Sequence, residues 1–203
     1  MSSREQILSR VRGALAPLTN RAPLPDWERN LVVLRQARGN VDGWTLLSER
    51  LRGVNGTPLN SIAELVAYLE KNHYLRGYCD PAIWPLLTES FPSTFGVETE
   101  FDRTRVDDYQ FGITRAAGAI AETGTVILSD SITSRRLGAL TPWVHVAVLR
   151  REQIFIDIPA AIAALPADPN VIWCTGPSKT ADVEGILIEG VHGPGVQAVL
   201  LLG

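Results

Sequence analysis

The chain has 203 residues, a net charge of −3, 45% hydrophobic and 20% charged residues, a balance ordinary for a soluble globular protein, with room for one full domain or one domain with an appendage. That charge gives no footing for general nucleic-acid or membrane-surface binding, and no apolar run approaches the roughly 20 residues of a spanning helix. The two cysteines, Cys79 and Cys174, are distant in sequence, with neither a disulfide framework nor metal-ligand spacing, so the cytoplasm is the default location.

In chain order, residues 3–16 read as an amphipathic helix: Ser3 and Gln6 have capping-box spacing, and Ile7, Leu8, Val11 and Leu15 share a face. The run from Pro17 to Pro25 ends it as an extended linker, which makes 1–25 an N-terminal extension and 26–203 the main domain. Helices follow over 27–38, 43–52 and, from the capping box Ser61–Glu64, to about Asn72. Leu75–Cys79 reads as a strand and Pro81–Glu89 as a short helix. The second half is strand-rich: Phe111–Arg115, Thr125–Leu128, Val144–Leu149, Val171–Cys174, Ile186–Glu189 and Val199–Leu202, with a helix over Pro159–Leu165. Several of these strands are apolar on both faces, which predicts an α/β fold with a mixed or mostly parallel sheet flanked by helices.

Polar groups concentrate in three glycine-flanked segments. After the run ending at Cys174, Gly176-Pro177 turns the chain and presents Ser178, Lys179 and Thr180, with Asp182 beyond. A helix starting near Thr180, at the carboxyl edge of a sheet, would favour an anion at its free amides, with Lys179 adding charge; equally, Ser178 or Thr180 simply caps the helix and Asp182 complements its dipole. His192, between Gly190 and Gly193, is either a general acid or base or the holder of its own turn. Glu122, before Thr123 and Gly124 at a strand start, is either a base or nucleophile or the brace of that turn. Arg135 and Arg136 offer a guanidinium pair to an anion, or a solvated surface. His145, inside an apolar strand, reads as a satisfied core residue. The scattered histidines predict no metal site.

Phe111-Gly-Ile-Thr114 leading into Ala121-Glu-Thr-Gly-Thr-Val-Ile-Leu128, Pro142 with His145, and Gly176 to Glu184 with Gly190-Val-His-Gly-Pro194 together resemble the LUD domain, specifically the lactate utilization protein C family. The resemblance covers residues 107–203. It implies a fold of the glucosamine-6-phosphate deaminase, ribose-5-phosphate isomerase and CoA transferase type. It also implies a place among iron-sulfur subunits that oxidise L-lactate to pyruvate. The clusters would sit in the partner subunits, since two distant cysteines are too few to ligate one. Motif positions fall on Glu122, Thr123, Gly124, Arg136, Gly176, Ser178, Asp182, His192 and Gly193, and a small anionic ligand bound by these together with Lys179 and Thr180 is the expected site, with Glu122 and His192 as the candidate catalytic groups. Two alternatives stand beside it: an enzyme acting alone on phosphorylated, CoA-linked or folate-type molecules, and a non-catalytic scaffold for iron-sulfur partners.

Overall fold

The computed structural model describes residues 2–18, 41–133, 135–165, 168, 170–181 and 186–203, which fall into two compact units, 1–40 and 41–203. In the first, helix α1 (Ser3–Leu15) begins where predicted but is capped one residue earlier: Ser2, not Ser3, accepts from the Glu5 amide, and the Glu5 carboxylate accepts from the Ser2 amide at 2.7 Å. A charged Glu at the third helical position closes the box and complements the dipole. No residue of α1 is buried. The helix read over 27–38 lies outside the described residues, as does most of the linker.

The second unit opens with α2 (Gly43–Gly53), capped by Asp42 accepting from the Thr45 amide, and continues through β1 (Thr57–Leu59) to α3 (Ile62–Lys71), capped by Ser61. Leu47 and Leu51 on α2, and Leu65 and Leu69 on α3, are four residues apart and fully buried, so each helix presents one apolar stripe. Strand β2 (Arg76–Cys79), helix α4 (Trp84–Leu87), strand β3 (Gly96–Glu98) and strand β4 (Phe111–Arg115) follow. Next come β5 (Gly118–Ile120), β6 (Thr125–Ser129), α5 (Arg136–Leu140), β7 (Val144–Leu149), β8 (Ile154–Phe155), α6 (Ile158–Ala164) and β9 (Val171–Thr175). A β10 (Lys179–Ala181) and β11 (Leu187–Glu189) hairpin and β12 (Val196–Leu201) complete the chain.

Six strands form one sheet in the order β1-β12-β7-β4-β2-β3, and every pairing in it is parallel. The protein is therefore α/β with a parallel central sheet flanked by helices. A second sheet, β8-β5-β6-β9, mixes parallel and antiparallel pairs. Side-chain alternation sorts the central sheet's two faces. Val144, Val146, Val148, Ala198 and Leu200 pack with α3 and α4, while Ala147, Leu149, Val199 and Leu201 pack with α2, α5 and the second sheet.

On the latter face α5 lies almost against the backbone of β4. A Cβ on Gly112 would sit 1.7 Å from the Gly138 carbonyl oxygen, so only glycine fits. Gly112→Ala is expected to cost about 3 kcal/mol or more, since α5 must lift off the sheet. Gly53→Ala, with no atom within 4 Å of the added methyl, should shift stability by under about 1 kcal/mol. Urea unfolding of the two variants against the parent measures the contrast.

Candidate functional site

Two connections leave the central sheet in opposite directions. From β2 the chain goes to β3 on one side; from β4 it goes on to β7 and β12 on the other. The reversal falls between β2 and β4, and ligands of open α/β sheets bind in the crevice outside the carboxyl ends at such a point. Asp80 directly follows β2 and Arg115 ends β4. Arg115 Nε donates to Asp80 Oδ2 at 2.8 Å, and Asp80 Oδ1 accepts from the Ala82 amide at 2.9 Å. The Asp80 side chain is 0% exposed, so this carboxylate depends on its guanidinium partner. Sequence reading passed over the pair, because a lone Asp before Pro81 and a strand-ending Arg carry no local signature.

The segment after β6 folds back over the same edge, where Thr133 Oγ1 donates to the Arg115 carbonyl at 2.9 Å. It leads into α5 and brings Asp130, Arg135 and Arg136 beside Phe101 and Arg103, around a cavity of about 490 Å³. Arg136 Nε donates to Asp130 Oδ1 at 2.9 Å, and a second guanidinium nitrogen of Arg136 meets Oδ2, a bidentate fork. Phe101 stacks on Tyr109, with centroids 4.9 Å apart, and meets Tyr78 edge-on at 5.5 Å. Asp102 caps the following turn by accepting from the Thr104 amide and hydroxyl, and those bonds hold its carboxyl below the usual range. Three guanidiniums thus surround one cavity with one carboxylate among them. Of the residues expected at the site, Arg136 is here; Arg103 was not anticipated, since it is brought in from 33 positions earlier only by folding.

The motif turns gather at the opposite edge. Thr123 Oγ1 lies 2.6 Å from Thr125 Oγ1, which lies 2.8 Å from Thr175 Oγ1. Gly124 (φ +68°) and Gly176 (φ +73°) occupy the left-handed region, and a Cβ on either would run into the Arg50–Val54 end of α2. Lys179 Nζ donates to the Val54 carbonyl at 3.3 Å and pairs with Glu189 at 3.5 Å, a cation placed where the carboxyl end of α2 favours one. The Ser178 amide donates to the Pro194 carbonyl, the Gly190 amide to the Ser178 carbonyl, and Gly193 lies against the Ser178 side chain.

Two expectations are corrected here. Among the described residues no helix starts at Thr180: Lys179, Thr180 and Ala181 form β10, paired antiparallel with Leu187–Glu189, because cross-strand pairing outweighs a local cap signal. The turn also follows the carboxyl end of β9 but sits at the amino edge of the central sheet, where Trp143 and Pro194 precede β7 and β12. Glu122 Oε1 accepts from the Ile158 amide that opens α6 at 2.8 Å. His192 is exposed, and Asp182 lies outside the described residues.

His145 is a core residue, as its apolar strand predicts. Its Nε2 lies 2.8 Å from Thr114 Oγ1 and its Nδ1 2.9 Å from Gln197 Oε1, across three neighbouring strands. Burial also keeps the cysteines as thiols, raising Cys79 and pushing Cys174 up to about 11. Among the described residues no group of three or more His, Cys, Asp or Glu side chains could hold a metal ion, and no helix is long and apolar enough to cross a membrane.

The arrangement defines a class: a parallel α/β protein with an arginine-lined cavity at the carboxyl edge and interlocked glycine turns at the amino edge. Residues 63–202, more than half of the chain, match the LUD domain, and the chain belongs to that family. It is 33% identical to lactate utilization protein C of Deinococcus radiodurans over 52% of this chain and 52% of that protein. It is 32% identical to lactate utilization protein C of Bacillus licheniformis over 54% of this chain and 52% of that protein. The chain thus spans about half the length of these relatives. A crystal structure of a DUF162 family protein from Deinococcus radiodurans shares the fold, with a TM-score of 0.54 at 24% identity over 79% of this chain and 96% of that one.

Burial lowers the His145 pKa from 6.5 to about 4, against a smaller opposing effect of the Gln197 hydrogen bond. The unfolded chain therefore binds more protons than the folded one between those values, and stability falls as pH drops from 6.5 towards 4. The loss attributable to this imidazole is about 3 kcal/mol. Urea unfolding between pH 7 and pH 4.5 should show a steeper decline for the parent than for His145→Gln.

Proposed function

We propose that this chain is a subunit of an iron-sulfur-associated lactate utilization system and that it binds a small anionic molecule in the cavity ringed by Arg103, Arg135 and Arg136. The observation that carries the reading is the charge of that cavity: among the described residues, three guanidiniums against the one carboxylate of Asp130. Asp130 already engages Arg136 through two nitrogens, the geometry a ligand carboxylate or phosphate would adopt. The names of the LUD relatives support the pathway, and two cysteines far apart in sequence, too few to ligate a cluster, support a reading in which partner subunits carry the clusters. In this reading Thr123, Gly124, Gly176, Ser178, Lys179 and Gly193 hold the motif turns against α2. His192, exposed at the amino edge, is left as the imidazole that could exchange a proton there, and Glu122 braces α6.

Thermal-shift and calorimetric titration of the purified chain with lactate, pyruvate and phosphate test the ligand. At least one should stabilise the parent, and Arg136→Ala should weaken it about ten-fold or more, the loss expected for a charge-assisted hydrogen bond. Equal binding by the variant, or no response to any of the three, rejects the cavity as the site.

The scaffold reading gains from a different observation. Ile186, Leu187, Ile188 and Val191, on and beside the β10-β11 hairpin, are 57%, 67%, 43% and 52% exposed. Such a cluster suits the face of a partner subunit. Leu187→Lys should abolish co-purification with cysteine-rich partner subunits while leaving the fold intact by circular dichroism; unchanged assembly removes the hairpin as the dock.

A further inference from the structure

We propose that the crevice at the carboxyl ends of β2, β4, β7 and β12 is a second ligand site, taking a monocarboxylic acid with an apolar tail. This goes beyond the anion site above and, among the described residues, shares no lining residue with it. The crevice lies where the strand order reverses, and it opens into a cavity of about 450 Å³ walled by Ile83, Leu86, Arg115, Arg150, Glu152 and Leu202. A further cavity of about 400 Å³ adjoins it, sharing Leu86, Arg150, Glu152 and Leu202. Both carry Arg150 and Glu152 beside the apolar side chains of Leu86 and Leu202, and together they give more room than a two- or three-carbon acid fills.

The polar end is built. Arg115 is held by the buried Asp80 through Nε alone, which aligns the guanidinium and leaves its terminal N–H groups for a second acceptor. Arg150 supplies another guanidinium on the same wall. Charge decides the ligand class. Asp80 balances Arg115, and Glu152 stands on the wall with Arg150, so the crevice is close to neutral and offers an acid the terminal N–H groups of Arg115, a setting for one carboxylate and not for a doubly charged phosphate. The Arg136 cavity, with three guanidiniums to one carboxylate, has the opposite bias. The apolar wall sets the rest: Ile83 is buried, while Leu86 is an apolar side chain left 54% exposed at the mouth. A hydrocarbon tail laid along Leu86 and Leu202 would cover it.

Hexanoate is the probe, with acetate and hexylamine as controls, titrated into the full chain by calorimetry and by amide NMR. Hexanoate should bind saturably, at least about ten-fold more tightly than acetate, from burying its extra methylenes. It should shift the amides of residues 82–86 and 150–153, and hexylamine should not compete. Arg150 and Leu86 are exposed, so their variants leave folding undisturbed. Arg150→Gln should weaken hexanoate about ten-fold, Leu86→Ser should weaken hexanoate but not acetate, and Arg136→Gln should change neither. No saturable binding, hexanoate affinity unchanged in Arg150→Gln and Leu86→Ser, or loss of hexanoate binding in Arg136→Gln would each overturn the proposal. A loss confined to Arg136→Gln would assign the ligand to the other cavity, so failure here and failure of the anion site are told apart.

Discussion

A parallel sheet buries both of its faces, and that requirement organises the molecule. All six residues of β7 are buried, flanked by β4 and β12 in parallel register. Each face then needs a cover of its own. One is covered by α3 and α4, the other by α2, α5 and the four-stranded sheet. Where the cover presses close, the backbone gives way to glycine: Gly112 beneath α5, Gly124 and Gly176 beneath the end of α2. Those glycines belong to the segments that look most like a binding site in the sequence. Their first duty is to seat a helix.

With both faces occupied, chemistry is left to the edges. At the amino edge the motif turns largely satisfy one another, through the threonine chain, the backbone bonds around Ser178 and the tie from Lys179 to α2. At the carboxyl edge the groups are charged and less self-contained. Asp80 and Arg115 pin the point where the strand order reverses, and the segment from Asp130 to Arg136 adds further guanidiniums around open space. Between the edges, His145 links Thr114 and Gln197 across β4, β7 and β12, a satisfied core network.

How far the elements could be read depends on how strongly each is written locally. Phe111–Arg115 and Val144–Leu149 coincide with their predicted bounds because a short run rich in β-branched, aromatic and aliphatic residues, bounded by turns, has few other uses. The capped helix beginning at Ile62 is as clear, since Ser61 and Glu64 mark its start. Thr57–Leu59, Gly96–Glu98, Gly118–Ile120 and Ile154–Phe155 were not anticipated: strands of two or three residues show no periodicity, and three of these four contain Gly or Pro. Helix α5 escaped because its five residues include Gly138 and have no side-chain cap. At Thr180 the error ran the other way, a polar cluster resembling a cap where the chain forms one arm of a hairpin.

The sequence by itself determined the fold class, the long strands, the capped helices and the family, because each is carried by periodicity, local capping or a short ordered motif. Only the tertiary structure decided which polar groups share a space. Arg103 and Arg136, or Asp80 and Arg115, are separated by some thirty residues and meet solely because parallel strands must be joined by crossovers that return every carboxyl end to the same edge.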